Sequence, residues 1–588
     1  MKPQDSRGAI AVHLSEYLPI GEGFQHTLQV TDDLWVAMTM LQLRTSVQTT
    51  MSDDVTFSED QLVGLTPEQR EAVTSTQRQL LVRATAGSGK THVLTLRIQR
   101  RIAEGDVAPD QVLAMTFTRK AADELRTRLW RTGIRGVAAG TFHRAALDIV
   151  SDFRTDNNLR PMSIEPNRRR LINELVVALN KTGQRIEDWQ IPRIEQEIGW
   201  ALSQGFNGTT YGRRASRARR TAPLPGAQMA DVIDRYVGLC QSKGVVDFDL
   251  LLSEAIRILR DDRAALASFR HRHRALFVDE AQDINPLQFT LLRLMAGDDP
   301  DIFTVGDPNQ SIYGFNGASP QLLQELLATW PDTVVLDLTR NHRSTAHIVA
   351  VADTLLEDGA AGITPAKADG EIPLVRVYDT EEHEARAVGT WLNSRHQPGS
   401  PWRSMAVLAR TNNQLNIIGE MLTTMHIPFE RRGAENSPGS DVIVGDTGPA
   451  RWFDQEHKDA VALSTIHRSK GLEWQHVAVI GLAEGVLPNF NASTAEDIAE
   501  EQRLAYVALT RAEETLLLTW NRGRHDPRTP DRQPSRFLAA IEQKISELAA
   551  VEAPLLGDER RQRLAAIRQQ LAASRPQLSS DGSEHTPS

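Results

Sequence analysis

Residues 84–91 read A-T-A-G-S-G-K-T, and no other stretch restricts the fold of this chain as strongly. An apolar run, Leu80, Leu81 and Val82, precedes them. Val93-Leu94-Thr95-Leu96-Arg97 follows without Gly or Pro and reads as a helix. Strand, Gly-rich turn and helix N-terminus are the setting a phosphate-binding loop requires. Gly87 and Gly89 let the backbone curl, so that the N–H groups from Ala84 through Thr85, Ala86 and Ser88 turn toward phosphate oxygens. The helix end adds partial positive charge. Lys90 is then placed for the β- and γ-phosphates of ATP, and the Thr91 hydroxyl for Mg²⁺. The full pattern has Gly where Ala84 stands. A G-S-G-K-T turn can also be a plain flexible turn, and a second nucleotide motif is what separates the two readings.

Composition narrows the remaining classes. At 588 residues, 40% hydrophobic and 24% charged, the chain has the make-up of a multidomain globular protein. No apolar run reaches the roughly 18 residues of a membrane span, and no charged-then-apolar leader opens the chain. One cysteine, Cys240, makes neither an internal disulfide nor a cysteine metal cluster. These features predict a cytoplasmic protein without membrane attachment. The net charge of −10 argues against bulk electrostatic coating by nucleic acid, so any nucleic-acid groove must be a local basic or aromatic track.

Residues 1–56 carry no motif and read as a poorly ordered arm that could lie upstream of a natural start at Met51. The stretch 31–43 could form a strand or short helix but has no partner nearby. Thr66, Pro67 and Gln69 form a capping box that opens the first helix. Residues 112–117 read as a buried strand, 118–125 as the start of a helix, and Gly140-Thr141-Phe142-His143 as a strand end entering a helix. Residues 151–245 are mostly helical and include Arg213, Arg214, Arg217, Arg219 and Arg220. That run is either a solvated face, a phosphate track or a flexible loop. Ala275-Leu276-Phe277-Val278 reads as a central parallel strand with Asp279 and Glu280 at its carboxyl end, where open α/β sheets bind ligands. Asp279 suits Mg²⁺ and Glu280 the attacking water. A second α/β run begins near Ile372. Residues 559–573 read as a charged amphipathic helix and 574–588 as a disordered tail.

Taken together, these segments resemble the UvrD/Rep/PcrA family of superfamily 1 DNA helicases over roughly residues 65–538. The motifs run in order: Gln69, the phosphate loop, T-F-T-R-K-A-A at 116–122, G-T-F-H at 140–143, D-F-D-L-L at 247–251 and V-D-E-A-Q-D at 278–283. Then come G-D-P-N-Q-S-I-Y-G at 306–314, N-H-R-S at 341–344, L-A-R-T-N at 408–412, T-I-H-R-S-K-G-L-E-W at 465–474 and R-L-A-Y-V-A-L-T-R-A at 503–512. The resemblance implies an α/β fold of two RecA-like parallel-sheet P-loop domains. Domain 1A would cover 57–150 and 246–340, a helical 1B insertion 151–245, and domain 2A 341–555.

It implies ATP and Mg²⁺ in the cleft, with Arg343 and Arg511 reaching the γ-phosphate, Gln310 sensing it, Glu473 at the ribose and Gln69 at the base edge. Single-stranded DNA would cross both domains. Phe117, Phe142, Tyr313 and Phe315 are candidates for base stacking, although each could instead be core. Thr116, His143, Asn412, Thr465 and His467 would contact the DNA backbone or bridge to ATP.

Three departures stand out. His92 and His342 replace the family's adenine-sandwiching Arg and Tyr. Phe315-Asn316 replaces Trp-Arg. Only about 30 residues, near 433–460, stand where the family inserts its large 2B domain. The expected activity is a 3′-to-5′ helicase or translocase on single-stranded and tailed duplex DNA. The alternative is a DNA-dependent ATPase subunit of a repair or anti-phage complex that needs a protein partner, a repair factor or nuclease, to unwind.

Overall fold

The computed structural model describes residues 56–218, 220–314, 317–318, 321–356, 362–431, 459–524 and 531–552. The expectations for the N-terminal arm, the short segment in place of 2B, Phe315, Asn316 and the C-terminal helix and tail fall outside these residues.

Two six-stranded parallel sheets organise the chain. The first has the order β3-β2-β6-β7-β1-β8, with β1 at Gln79–Ala84, β2 at Val112–Thr116, β3 at Ala138–Thr141, β6 at Ala275–Val278, β7 at Ile302–Gly306 and β8 at Val334–Leu338. Its strands are short apolar runs because both faces are covered, as parallel sheets require. Side chains alternate between the two faces. Leu81, Leu113, Met115, Leu276 and Val278 enter one core, while Leu80, Val82, Val112, Ala114, Ala275 and Phe277 enter the other.

The second sheet repeats the scheme in the order β11-β16-β15-β12-β14-β13. Here β11 is Leu374–Tyr378, β12 Met405–Ala409, β13 Phe429–Arg431, β14 Val461–Thr465, β15 Trp474–Val479 and β16 Ala512–Asn521. Leu408, Val477, Val479, Leu516 and Leu518 face one core, and Val407, Leu463, Ala478 and Leu517 the other.

Between the helices Phe142–Asp156 and Phe248–Asp261 lies a helical unit with a core of its own, including Leu171, Ile198, Trp200, Tyr211, Met229 and Tyr236. A two-stranded ladder, β4 (Ser163–Ile164) with β5 (Val245–Val246), closes its base. Among the described residues no helix is long and apolar enough to cross a membrane.

The strand order positions the site. β7 lies between β1 and β6, so the loops that leave the carboxyl ends of these three strands converge. The phosphate loop, the Asp279-Glu280 pair and the segment from Asp307 thereby meet. The second sheet closes over them: Ala86 of the phosphate loop and Ile312 pack in the same core as Leu504, Tyr506 and Ala508.

Candidate functional site

The phosphate loop is built by its glycines. Gly87 and Gly89 have φ of +69° and +81°, the left-handed region in which a side chain is costly. Gly89 caps the helix Lys90–Ala103, so Lys90 and Thr91 begin that helix. The Ser88 hydroxyl donates to the Thr85 carbonyl (2.8 Å) and fastens the loop to itself. Gln69 does two jobs. Its Oε1 accepts from the Thr66 amide (2.9 Å), completing the capping box, and its Nε2 donates to the Ser88 carbonyl (2.9 Å). The helix Pro67–Thr74 is in turn held by Arg97, which donates to the carbonyls of Ala72 (2.9 Å) and Ser75 (2.8 Å).

Lys90 Nζ lies 3.3 Å from the Ala84 carbonyl and 3.7 Å from the buried Asp307 carboxylate. The Thr91 hydroxyl donates to Asp279 Oδ2 at 3.0 Å. Glu280 follows with φ +55°, unusual for a non-glycine residue and typical of strained functional turns. Two hydrogen bonds hold this turn: the Glu280 amide to Asp279 Oδ1 and the Asp283 amide to the Glu280 carbonyl, each 2.9 Å. Gln282 Nε2 donates to Glu280 Oε2 (2.5 Å), while its Oε1 accepts from the Asp307 amide (2.8 Å).

Burial and the Glu280 charge push the Asp279 carboxyl up. Burial acts the same way on Glu280, but the Lys470 and Lys90 ammoniums outweigh it and hold that carboxyl down. The paired Thr91 and Asp279 oxygens fit Mg²⁺, which takes one or two protein oxygens and fills its shell with phosphate and water. A divalent cation there would also relieve the crowding of the two acids.

Residues of the second domain complete the site, beginning with β9 (Arg340–Asn341), which pairs with β10 (Thr364–Pro365) apart from the second six-stranded sheet. Asn341 Nδ2 donates to the Ala86 carbonyl (2.8 Å), and the His342 amide to the Gly87 carbonyl (2.9 Å). The approach is so close that a Cβ on Gly87 would lie 2.8 Å from Asn341 Nδ2 and 2.9 Å from Arg343 Cβ. Arg343 pairs with Glu473 (2.5 Å) and donates to the Thr510 carbonyl (3.2 Å). Arg511 is 1% exposed and donates to the carbonyls of Val507 (2.9 Å) and Leu472 (3.1 Å). Burial, reinforced by Arg343, lowers its pKa to about 9. Both guanidiniums thus rest on second-domain acceptors, Arg343 beside Gly87 of the phosphate loop and Arg511 close enough for its charge to act on Glu280. Lys470 crosses the joint to Asp283 and to the Gln310 carbonyl, each 2.6 Å away, with Glu280 at 3.6 Å.

Sequence comparison bears directly on this arrangement. Residues 65–331 match the UvrD/REP helicase N-terminal domain. Residues 336–435 and 451–523 match the UvrD-like helicase C-terminal domain. This chain belongs to the UvrD/REP helicase family. It is accordingly an ATP-hydrolysing enzyme of the helicase class. Its relatives include the ATP-dependent DNA helicase UvrD2 of Mycobacterium tuberculosis, 31% identical over 87% of this chain and 85% of the relative. DNA helicase II of Escherichia coli is 25% identical over 86% of this chain and 91% of the relative. The latter alignment runs over 670 positions, more than the 588 residues here, so it must open gaps in this chain.

Within the UvrD-type frame, the residues expected at DNA divide into two groups. Phe117 and Tyr313 stack on each other with centroids 4.6 Å apart, both half-buried at the first sheet's rim. The Tyr313 hydroxyl donates to the His467 carbonyl (3.2 Å), and the Lys470 ammonium lies 5.5 Å from the Tyr313 ring centroid. Asn412 is exposed, and Thr465 is half-buried at the corresponding rim of the second sheet.

Two expectations need correction. Phe142 is 4% exposed and packs among core residues, because its position at the first turn of a helix directs it under the sheet edge. Thr116 is 1% exposed, and its hydroxyl is used by the Thr118 carbonyl (2.9 Å). His143 and His467 are half-buried, and burial lowers them to about 4 and about 3, so both imidazoles are neutral near pH 7. Gln310 is buried, with its amide donating to Asp307 (2.7 Å). His92 and His342 are exposed, and the His342 backbone meets the phosphate loop at Gly87.

The joint also uses residues to which sequence reasoning gave no role: Gln282, Asp283, Asp307, Asn341, Lys470 and Tyr506, whose hydroxyl accepts from the Ala86 amide (3.4 Å). All six lie inside recognised motifs, which was the available signal. Their roles depend on which loops the two sheets bring together.

Proposed function

We propose that this protein is an ATP-driven motor that moves 3′-to-5′ along single-stranded DNA and opens tailed duplexes, using the residues around the phosphate loop for hydrolysis. The observation that carries the reading is the composite joint. Lys90, Thr91, Asp279 and Glu280 follow strands of the first sheet, while from the second domain Arg343 meets the phosphate loop at Gly87, Lys470 meets Glu280 and Asp283, and the Arg511 charge acts on Glu280.

ATP with Mg²⁺ supplies the phosphoanhydride whose hydrolysis drives the cycle, and the chain does the rest. Lys90, now against a carbonyl and Asp307, turns its ammonium to the phosphates. Thr91 and Asp279 hold the cation's shell. Glu280, kept ionised by neighbouring ammoniums, accepts the proton of the attacking water. Arg343 and Arg511 leave Glu473 and the Leu472 carbonyl for the γ-phosphate, so charge stabilisation depends on how the domains close. After hydrolysis they return to second-domain acceptors, and the joint relaxes. Gln69 and the two histidines frame the base. The rings of Phe117 and Tyr313 offer sequence-indifferent stacking to DNA. Duplex opening costs about 1.4 kcal/mol per base-pair step, a modest load for each ATP.

A second reading has one supporting observation. The family's C-terminal model matches in two pieces separated at residues 436–450, inside the short segment where relatives carry 2B. A motor without that arm could translocate alone and unwind only with a protein partner, as part of a repair or anti-phage complex. Strand separation on 3′-tailed and 5′-tailed duplexes, with ATPase measured with and without single-stranded DNA, decides between the two. Opening of the 3′-tailed duplex alone supports the autonomous helicase. DNA-stimulated ATPase without opening supports the partner-dependent translocase. ATPase indifferent to DNA overturns both.

A further inference from the structure

The rings placed at DNA by the reading above, Phe117 and Tyr313, belong to the first domain. A strand passed between two domains needs a hold on each, since one must grip while the other releases. Among the described residues of the second domain, one aromatic side chain is fully open to solvent: Phe490, 77% exposed.

Its position is specific. β12, β14, β15 and β16 belong to one parallel sheet, so the segments that leave their carboxyl ends share a rim. Asn412, Thr465 and the loop carrying Phe490 all follow such ends. Two successive carboxylates on the helix Ala495–Leu509 tie this rim together. Glu500 accepts from the Gly314 amide (3.0 Å), next to Tyr313. Glu501 accepts from the Asn489 amide (3.0 Å), next to Phe490, and pairs with Arg410 (2.7 Å), two residues before Asn412.

The Phe490 backbone is pinned as well. Its amide donates to the Gly485 carbonyl (3.1 Å), and the Ala492 amide to the Asn489 carbonyl (2.9 Å). The Asn491 amide donates to Asn489 Oδ1 (3.1 Å). Single exposed hydrophobic side chains are ordinary on protein surfaces. This one differs in standing on a fixed turn, at the rim, joined through neighbouring residues to the Tyr313 loop.

We infer that Phe490 is a base-stacking residue of the second domain, taking a nucleobase of the single strand that continues from Tyr313. The inference rests on the single-strand motor reading. Stacking on a phenyl face tolerates every base, as a motor requires, and adds an exposed ring to the rim that also carries Asn412 and Thr465.

The test compares wild type, Phe490→Ala and Phe490→Trp in equilibrium binding to an oligodeoxynucleotide and to an abasic deoxyribose-phosphate strand of equal length. ATPase without DNA is measured beside it. Phe490→Ala should bind the oligonucleotide about tenfold more weakly. It should bind the abasic strand as wild type does and keep the DNA-free ATPase rate, and Phe490→Trp should restore binding. Unchanged oligonucleotide binding overturns the inference, as does equal loss on both strands, which would mean a structural effect. If wild type itself binds no single strand, the motor reading fails, and the inference falls with it.

Discussion

At the scale of residues, the site is a set of charges held by carbonyls and carboxylates, which on the proposed reading a nucleotide claims. Arg343 and Arg511 are the clearest case, since their present acceptors all lie in the second domain. Replacing either by Ala should lower the ATPase kcat by about 10³-fold, with a smaller change in nucleotide affinity. Steady-state ATPase beside equilibrium binding of a fluorescent ATP analogue measures the two separately. Lys470 is a different kind of residue. Its ammonium donates to Oδ2 of Asp283, whose side chain is fully buried and whose Oδ1 has no hydrogen-bond partner. Removing one member of a buried pair strands the other, at a cost of about 3 kcal/mol. Lys470→Met should therefore lower the melting temperature clearly. Adding Asp283→Asn should recover part of the loss, so the double variant is more stable than the sum of the single effects predicts.

At the scale of elements, the strand-to-helix turn after β1 determines how closely the domains can meet. Gly87 combines a positive φ with so close an approach of the other domain that an added Cβ would lie 2.8 Å from Asn341 Nδ2. Gly87→Ala should strain the loop and prop the joint open. A displacement of this order is enough to lower ATPase by about 100-fold, while the far larger cores keep the melting temperature nearly unchanged. ATPase slowed about 100-fold with nearly unchanged unfolding is the expected pair of results. The helix Pro67–Thr74 makes a milder case. Its Thr66 cap orders the turn from which Gln69 reaches the phosphate loop. Thr66→Ala should cost about 1 kcal/mol of stability and raise the KM for ATP, both measurable on one preparation.

At the scale of the whole molecule, buried titratable groups pull stability in opposite directions with pH. Burial lowers His143 to about 4, so between its unfolded value and that pH the unfolded chain binds a proton the fold refuses. Stability from this group is lost as pH falls through that window. Burial raises Asp283 to about 7, so there the fold binds the proton and stability is lost as pH rises. Relative to wild type, His143→Gln should gain melting temperature as pH drops from about 6.5 to 4, and Asp283→Asn as pH climbs from about 4 to 8. A pH series of thermal unfolding checks both signs.

The same scale separates what the chain announces from what it conceals. Strands flanked by glycine turns and capped helices are local, so β1, β2 and β6 and the residues at their ends were legible, as was the capping box at Thr66. The glycine-built turn of the phosphate loop and the placing of Asp279 and Glu280 at a strand's carboxyl end were readable because those motifs encode local structure. The burial of Phe142 and Thr116 was not readable, since nothing in G-T-F-H or T-F-T says which face a neighbouring helix covers. Lys470 meeting Asp283, Glu500 holding the Tyr313 loop and Glu501 the Phe490 turn were equally hidden, because each joins segments brought together only by folding. Short-range patterns of apolar residues and glycine specify two parallel α/β sheets and one nucleotide loop. Tertiary structure alone decided which charges pair across the joint and which rings stay in solvent, because burial and distance are properties of the packed molecule.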